Sequence, residues 1–397
     1  MPKIYKNLDM KKFVIISFVL ALPFLAVGQE NYHFTVNKYT YKGDTAHVYI
    51  PENYVDNVTT STSSAPKNVI FFIGDGMGAT QIFAALSANH GNLYLQQLTN
   101  IGFIRTHSAS DYITDSAAGG TALSCGQKTT NGMIGMTPDT TEIPSILELC
   151  KNVQHMSTGI VATSSIVHAT PAAFIAHVDN RTKYEDIALE FLGAEADVFI
   201  GGGQTFFKNR KDKRNLYDEL GKIGYRIYES MDAAHNDNDL RLGILLSPKH
   251  MPVADKRTPK LREQTQKAID VLSNKNTNGF FLFVEGSQID WGGHQNDTHR
   301  IVTELLDFDQ AIGAALKFAV ADGNTLIVVT ADHETGGLTI LGGDIDSGTV
   351  EGSFSTGEHS AVMVPVFAFG PGSENFRGIY DNTEIFHKMA NLLGIWK

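Results

Sequence analysis

Five short runs of consecutive apolar residues recur along the chain. They span Asn68–Asp75, Thr158–Ile166, Ala196–Ile200, Phe280–Glu285 and Asn324–Thr330. The runs do not alternate between apolar and polar positions, which is typical of strands that are buried on both faces of a sheet. Each run therefore predicts a central strand.

Segments with a helical pattern lie between these runs. They span Ser116–Cys125, Ile143–Lys151, Lys183–Leu192, Leu261–Asn274 and His299–Ala321. Strands that alternate with helices predict the α/β class, with a central, mostly parallel sheet covered by helices on both faces as an α/β/α sandwich. In such sheets functional residues gather at the carboxyl ends of the strands.

The first 28 residues have the pattern of a bacterial signal peptide. Lys11 and Lys12 precede the apolar run 13–25, and the small residues Ala26 and Gly28 lie just before Gln29, where a signal peptidase would cut. The run is short for a membrane span, although an N-terminal anchor helix is the alternative. We therefore expect an exported protein, periplasmic or secreted, whose mature form has no membrane anchor.

The remainder, residues 29–397, is predicted to be one catalytic domain. Large α/β enzymes often reach this size around a single sheet. The polar stretch from Lys208 to Arg257 contains few apolar runs, so we interpret it as a peripheral excursion from that domain.

Charge and cysteine content exclude several classes of protein. The chain has 43 acidic and 32 basic residues, which gives a formal charge of −11. This surplus disfavours specific nucleic-acid binding, which depends on clustered lysine and arginine. Cys125 and Cys150 are the only cysteines, so a disulfide-rich scaffold is excluded, whereas one bridge or two buried thiols both remain possible.

Acidic residues and histidine follow three of the predicted strands, at Asp75, at Glu285 and Asp290, and at Asp332-His333. Mixed sets of histidine and carboxylate suit zinc, and sets of oxygen atoms alone suit magnesium. His294 follows Asp290 by four residues across two glycines, a spacing that a tight loop or turn could close on one ion. Each acid alone could be a helix N-cap, but the whole set indicates a metal site.

Ser116 is the candidate nucleophile, in the segment TDSAAGGTA. The small residues after it allow a helix to begin there, so that free amides and the positive end of the helix dipole would face the group attacked. No G-x-S-x-G motif is present, which favours activation by a metal. An ordinary helix N-cap is the alternative for Ser116.

Arg181 is a candidate phosphate ligand. It ends the segment HATPAAFIAHVDNR, and its planar guanidinium matches two phosphate oxygens, although alone it could be a surface residue.

Six segments together resemble the alkaline phosphatase family. They are IGDGMG, TDSAAGGTA, HATPAA ending in Arg181, VEGSQID followed by His294, TADHE and TGEHS. They occur in the family's order from residue 69 to about residue 370. The resemblance implies an enzyme that hydrolyses small phosphate monoesters through a phosphoserine at Ser116, and a homodimer.

The resemblance also implies two zinc ions and one magnesium ion per chain. The ligands matched to the family's motifs are Asp290, His294 and His359 for the first zinc; Asp75, Asp332, His333 and the Ser116 oxygen for the second; and Asp75, Thr170 and Glu285 for magnesium. The types agree with the independent reasoning above, because imidazoles fall at the zinc positions. His359 comes from the resemblance alone.

Two positions differ from the best-known bacterial pattern. His168 and Trp291 stand where that pattern has an aspartate and a lysine. The exchange of lysine for tryptophan removes a cation that could reach phosphate through water. We therefore expect phosphate to be held less tightly and released faster.

Two other functions remain as alternatives. A phosphodiesterase of the same superfamily commonly uses threonine as nucleophile and lacks the magnesium site, so Thr170, Glu285 and Arg181 favour the monoesterase. An exported protein that binds metal or phosphate without catalysis is disfavoured, because nucleophile, ligands and arginine are all present.

Overall fold

A computed structural model describes residues 37–55, 65–193, 195–275 and 277–396. The predicted signal peptide lies outside the described residues, as do residues 29–36 of the predicted domain. From Asn37 onward the chain forms one compact unit. None of the helices in the described ranges combines the length and the apolar character that a membrane crossing requires.

Within the described ranges, fifteen strands form one large and two small sheets. In chain order they are β1 (Tyr39–Lys42), β2 (Asn68–Gly74), β3 (Asn100–Arg105), β4 (Ser157–Ser165), β5 (Val198–Gly202), β6 (Arg226–Tyr228), β7 (Leu242–Ser247), β8 (Phe280–Gly286), β9 (Thr325–Thr330), β10 (Glu334–Thr335), β11 (Leu338–Asp344), β12 (Thr349–Phe354), β13 (His359–Ser360), β14 (Val364–Phe369) and β15 (Gly378–Asp381).

The large sheet has ten strands in the order β15-β3-β14-β9-β2-β8-β4-β5-β7-β6. Neighbouring strands are parallel except on the two sides of β14, which runs antiparallel to β3 and β9. The five strands predicted from apolar runs are adjacent at the centre, as β9-β2-β8-β4-β5, and every residue in them is buried. Burial on both faces explains why these segments are continuously apolar. The predicted mostly parallel sheet is confirmed.

Eleven α-helices are described around the sheets. They are α1 (Ala79–Ala88), α2 (Ser116–Cys125), α3 (Ile146–Gln154), α4 (Ala169–Ala172), α5 (Tyr184–Glu190), α6 (Gln204–Lys208), α7 (Leu216–Lys222), α8 (Leu261–Lys275), α9 (Gln288–His294), α10 (Thr298–Asp322) and α11 (Thr383–Leu393). All five predicted helices are present, with ends shifted by no more than a few residues.

Local capping defines the ends of α2 and α10. The Asp115 side chain accepts the Ala118 amide at the start of α2, and Gly126, with a φ of 70°, ends it. Asp297 caps α10 in the same way, and Gly323 ends it at a φ of 71°. An acidic N-cap and a left-handed glycine are the usual boundaries of a helix.

Two segments differ from the prediction. Asp290 and His294 lie on a helix that was not predicted, α9, and a turn of this helix brings them onto one face. The stretch 208–257 is only partly an excursion, because it contributes β7, which pairs with β5, and β6, which pairs with β7. It thereby completes one edge of the large sheet.

Candidate active site

The carboxyl ends of three central strands converge as predicted. Asp75 follows β2, Glu285 lies near the end of β8, and Asp332 and His333 follow β9. All four side chains are fully buried. The parallel register of β8, β2 and β9 brings these positions to one edge of the sheet.

A first cluster joins α9 to β13. The Nε2 atom of His294 lies 3.4 Å from one oxygen of Asp290, and the Nε2 atom of His359 lies 3.5 Å from the other. The two Nε2 atoms are 3.2 Å apart. One ligand atom from each of the three residues falls within a sphere suited to one metal ion.

Hydrogen bonds fix the tautomers of both imidazoles. Nδ1 of His294 is 2.7 Å from the carbonyl oxygen of Gly357, and Nδ1 of His359 is 2.9 Å from the carbonyl oxygen of Thr114. A carbonyl can only accept, so each Nδ1 carries a proton, and in the neutral ring Nε2 then presents a lone pair. Two Nε2 lone pairs that face each other beside the Asp290 carboxylate could bind the same cation. Hydrogen bonds from Nδ1 to a backbone carbonyl commonly orient histidines that bind zinc.

A second cluster contains Asp75, Asp332 and His333. Nε2 of His333 lies 3.4 Å from an oxygen of each aspartate and 3.3 Å from the hydroxyl oxygen of Ser116. Asp332 also accepts the amide of Gly76 at 3.3 Å. The predicted nucleophile is therefore in direct contact with a group of potential metal ligands.

A third cluster contains Asp75, His168 and Glu285. The Thr170 hydroxyl lies 3.5 Å from Asp75 Oδ2, and the Ser287 hydroxyl donates to Glu285 Oε2 at 2.5 Å. His168 thus occupies a place among the candidate ligands that the resemblance had given only to oxygen donors.

Several buried polar atoms of these clusters make no hydrogen bond to a described residue. Among the described residues, Asp75 Oδ1, Glu285 Oε1, Asp332 Oδ2 and His168 Nδ1 are buried and make no hydrogen bond. Polar atoms in protein interiors are almost always paired. These donor atoms, carboxylate oxygens and imidazole nitrogens, fit divalent cations.

Burial also disturbs the protonation of these groups. It raises the pKa of Asp75, and the neighbouring Asp332, Asp290 and Glu285 raise it further. Burial likewise raises the pKa of Glu285 to about 8 and that of Asp332 to about 6, and it lowers the pKa of His333. Bound cations would reverse the effect on the carboxyl groups, because a nearby positive charge favours the ionised carboxylate.

Ser116 is the first residue of α2, and the residue before it organises its surroundings. Asp115 accepts the amides of Ala118 and Gly132 at 3.0 and 3.1 Å, and it accepts Nη1 of Arg181 at 2.9 Å. No other hydrogen bond of the Arg181 guanidinium to a described residue is present, so its other N–H groups can bind a ligand. Asp115 therefore fixes the arginine beside the helix start that carries the nucleophile.

Two residues of the site carried no signal that singled them out in the sequence. Thr335 directly follows TADHE and bridges two clusters, because its hydroxyl donates to Asp290 Oδ1 at 2.5 Å and lies 3.2 Å from His333 Nδ1. His250 lies in the stretch 208–257, and its ring packs 4.7 Å from that of Trp291. Proximity to a motif could have indicated Thr335, whereas nothing local indicates His250.

Comparisons with known proteins agree with this geometry. A family model described as alkaline phosphatase matches residues 66–352 and 350–395. Alkaline phosphatase 4 of Bacillus subtilis is 36% identical over 405 residues, which cover 80% of this chain and 87% of the relative. Alkaline phosphatase of Escherichia coli is 32% identical, with coverage of 84% and 88%.

Solved structures give the same result. Alkaline phosphatase from the Antarctic bacterium TAB5 aligns with a TM-score of 0.80 at 45% identity, covering 84% of this chain and all of that chain. A variant of that enzyme in which a histidine is replaced by glutamate has Mg bound in a site called M3. On its sequence, fold and relatives, this chain is a phosphate monoester hydrolase and belongs to the alkaline phosphatase family.

Proposed function

We propose that the enzyme transfers the phosphoryl group of a monoester to Ser116 with release of the alcohol, and that water then cleaves the phosphoserine to release inorganic phosphate and regenerate the Ser116 hydroxyl. The observation that carries this proposal is the contact of the Ser116 hydroxyl with His333 at a helix N-terminus, where the preceding residue, Asp115, binds Arg181. A hydroxyl with these neighbours is suited to attack phosphorus.

The three clusters support the assignment of two zinc ions and one magnesium ion. Asp290, His294 and His359 would hold one zinc, and Asp75, Asp332, His333 and the Ser116 oxygen the other. Asp75, Thr170 and Glu285 would hold magnesium, with His168 close enough to be an additional ligand. When bound, such ions lower the pKa of a hydroxyl group and of water and neutralise charge on phosphoryl oxygens.

The chain's own residues would orient the reaction. Arg181, held by Asp115, would bind two non-bridging oxygens through its free N–H groups. The amides at the start of α2 would stabilise the charge that develops on the phosphoryl oxygens. His333 would keep the Ser116 oxygen directed into the site.

Trapping of the phosphoenzyme tests the nucleophile. After brief reaction and an acid quench, mass spectrometry should find phosphate on Ser116, whereas Ser116→Ala should carry none and lose most turnover. Ser273→Ala, which alters an exposed serine on α8, is the control and should behave like the wild type. Phosphate on another residue, or full activity of Ser116→Ala, would refute the assignment.

We also propose that residues 1–28 direct export and are removed, and that the mature enzyme is a homodimer in the periplasm or outside the cell. The arrangement of lysines, apolar run and small residues supports export. Sequencing the N-terminus of the exported protein should give Gln29, and light scattering should give twice the chain mass. An uncleaved N-terminus or a monomer would contradict the respective part.

A further inference from the structure

We propose that His250 is a positioning residue of the active site, which holds Trp291 and His168 in the orientation that the phosphate-binding centre requires. The inference rests on the proposed function only in placing phosphate at that centre. His250 lies outside all six segments that resemble the family, in the stretch that completes the edge of the large sheet.

The backbone around His250 is firmly anchored. The Ser247 hydroxyl donates to the carbonyl oxygen of His250 at 2.7 Å, and Nε2 of Gln288, on α9, donates to that of Met251 at 2.8 Å. Further along, the fully buried Arg257 pairs with two acidic residues of α10 at 2.5 and 2.7 Å. The loop therefore carries His250 to the site in a defined position.

The His250 ring is fixed on one side by the end of β4. Its Nδ1 accepts the Ser165 amide at 3.1 Å, so the neutral ring carries its proton on Nε2. The carbonyl oxygen of Ser165 accepts the amide of His168 at 2.8 Å. His250 thus binds the turn that presents His168 and Thr170 to the third cluster.

The rings of His250, Trp291 and His168 pack against one another edge to face. The centroid of the His250 ring lies 4.7 Å from that of Trp291 at an interplanar angle of 82°, and 5.6 Å from that of His168 at 86°. His168 and Trp291 are themselves 6.0 Å apart. Edge-to-face pairs at such distances are attractive and direction-dependent.

The His168 ring lacks a hydrogen bond that would fix it by itself. Its Nδ1 is buried and makes no hydrogen bond to a described residue, so packing against Trp291 and His250 helps to set the orientation of the ring. Trp291 has a second contact, with the Arg300 guanidinium 5.5 Å from its ring. Removal of the His250 ring should therefore loosen both side chains without breaking the fold.

Asparagine is the informative substitution. In His250→Asn the side-chain oxygen can still accept the Ser165 amide, while the ring that packs against Trp291 and His168 is lost. His235→Asn, at an exposed histidine of the same stretch, is the matched control. Because Trp291 and Trp396 are the only tryptophans, a Trp396→Phe background makes the emission report on Trp291 alone.

We expect His250→Asn to raise the inhibition constant for inorganic phosphate and the KM about three- to tenfold, the order expected for lost aromatic contacts. The kcat should change less, Trp291 emission should shift to the red, and the melting temperature should match that of His235→Asn. His250→Phe, which keeps a ring, should restore the phosphate inhibition constant toward the wild-type value.

Unchanged phosphate inhibition and Trp291 emission in His250→Asn would overturn the proposal. Failure of His250→Phe to recover either property would also overturn it, since ring packing would then not be the cause. If His250→Asn did not fold, His250→Phe would be compared with the wild type. The proposal predicts that His250→Phe retains phosphate inhibition, so loss of inhibition in this variant would contradict it. Absence of phosphate on Ser116 would refute the proposed function instead, and Trp291 emission would still report on the His250 contact.

Discussion

At the scale of single residues, Thr335 connects two candidate zinc clusters without being a ligand. Its hydroxyl donates to Asp290 and lies beside Nδ1 of His333. Groups that orient ligands in this way typically change metal affinity by about 10- to 100-fold when removed. We expect Thr335→Val to weaken zinc binding by that order, measured by competition with a chromogenic chelator. Thr339→Val, at an exposed threonine of β11, is the control, and equal affinities in the two variants would contradict the role of Thr335.

Trp291 gives a second prediction at this scale. A lysine at that position would place a cation beside the phosphate-binding centre, where charge-assisted contacts with a dianion are favourable. Trp291→Lys should therefore lower the inhibition constant for phosphate several-fold and slow product release. Inhibition assays at constant ionic strength measure this directly, with Trp396→Phe as the control. Unchanged inhibition would show that the lost cation does not explain the difference from the lysine-containing pattern.

Some residues of the site could be predicted from the sequence and others could not, for physical reasons. Asp75 and Asp332 end apolar strands, so strand topology alone indicated that they meet. His359 precedes a strand without any regular pattern, and only the resemblance singled it out. His250 reaches the site because a buried ion pair and two hydrogen bonds anchor its loop. Contacts between residues that are far apart in the sequence produce no local sequence pattern.

At the scale of elements, Asp309 on α10 anchors Tyr49 and the short turn that begins at Tyr94. This buried carboxylate accepts the amides of Tyr94 and Leu95 at 2.7 and 2.9 Å and the hydroxyl of Tyr49. Burial raises the pKa of Asp309 to about 6, although these hydrogen bonds oppose the shift. The folded state then binds a proton more tightly than the unfolded chain, so this group's contribution to stability falls as the pH rises from about 4 to about 6.

Asp309→Asn should remove that dependence. Between pH 4 and pH 7, the unfolding free energy of the wild type should fall by about 2 kcal/mol relative to that of the variant. Urea unfolding of both proteins at each pH measures this difference and cancels the contribution of other groups. A constant difference across the range would contradict the raised pKa of Asp309.

The helices and strands that pack at the centre were predictable, and those at the margins were not. Strands buried on both faces have continuous apolar runs, whereas β6 is only half-buried and has no such run. The helix α9 escaped prediction because two of its seven residues are glycines, which disfavour helices. Its Gly293 is nevertheless needed, because a Cβ atom there would lie 2.7 Å from the carbonyl oxygen of Thr335.

At the scale of the whole molecule, an acidic enzyme must attract an anionic substrate. The chain has a formal charge of −11, yet four of its carboxylates, Asp75, Glu285, Asp290 and Asp332, are proposed to hold cations. With three divalent ions and Arg181, the formal charge of the site becomes positive. The metal-free protein should therefore bind inorganic phosphate far more weakly than the loaded enzyme, as measured by calorimetry. Comparable affinity in both forms would contradict this charge reversal.

Hydrolysis is proposed to depend on metal ions held by the converging carboxylates and imidazoles. Metal analysis of the purified enzyme, combined with a chromogenic monoester assay before and after chelation, tests it most directly. We predict two zinc ions and one magnesium ion per chain, loss of activity when they are removed, and recovery when both metals are returned. Full activity of a protein that contains no metal would contradict the account.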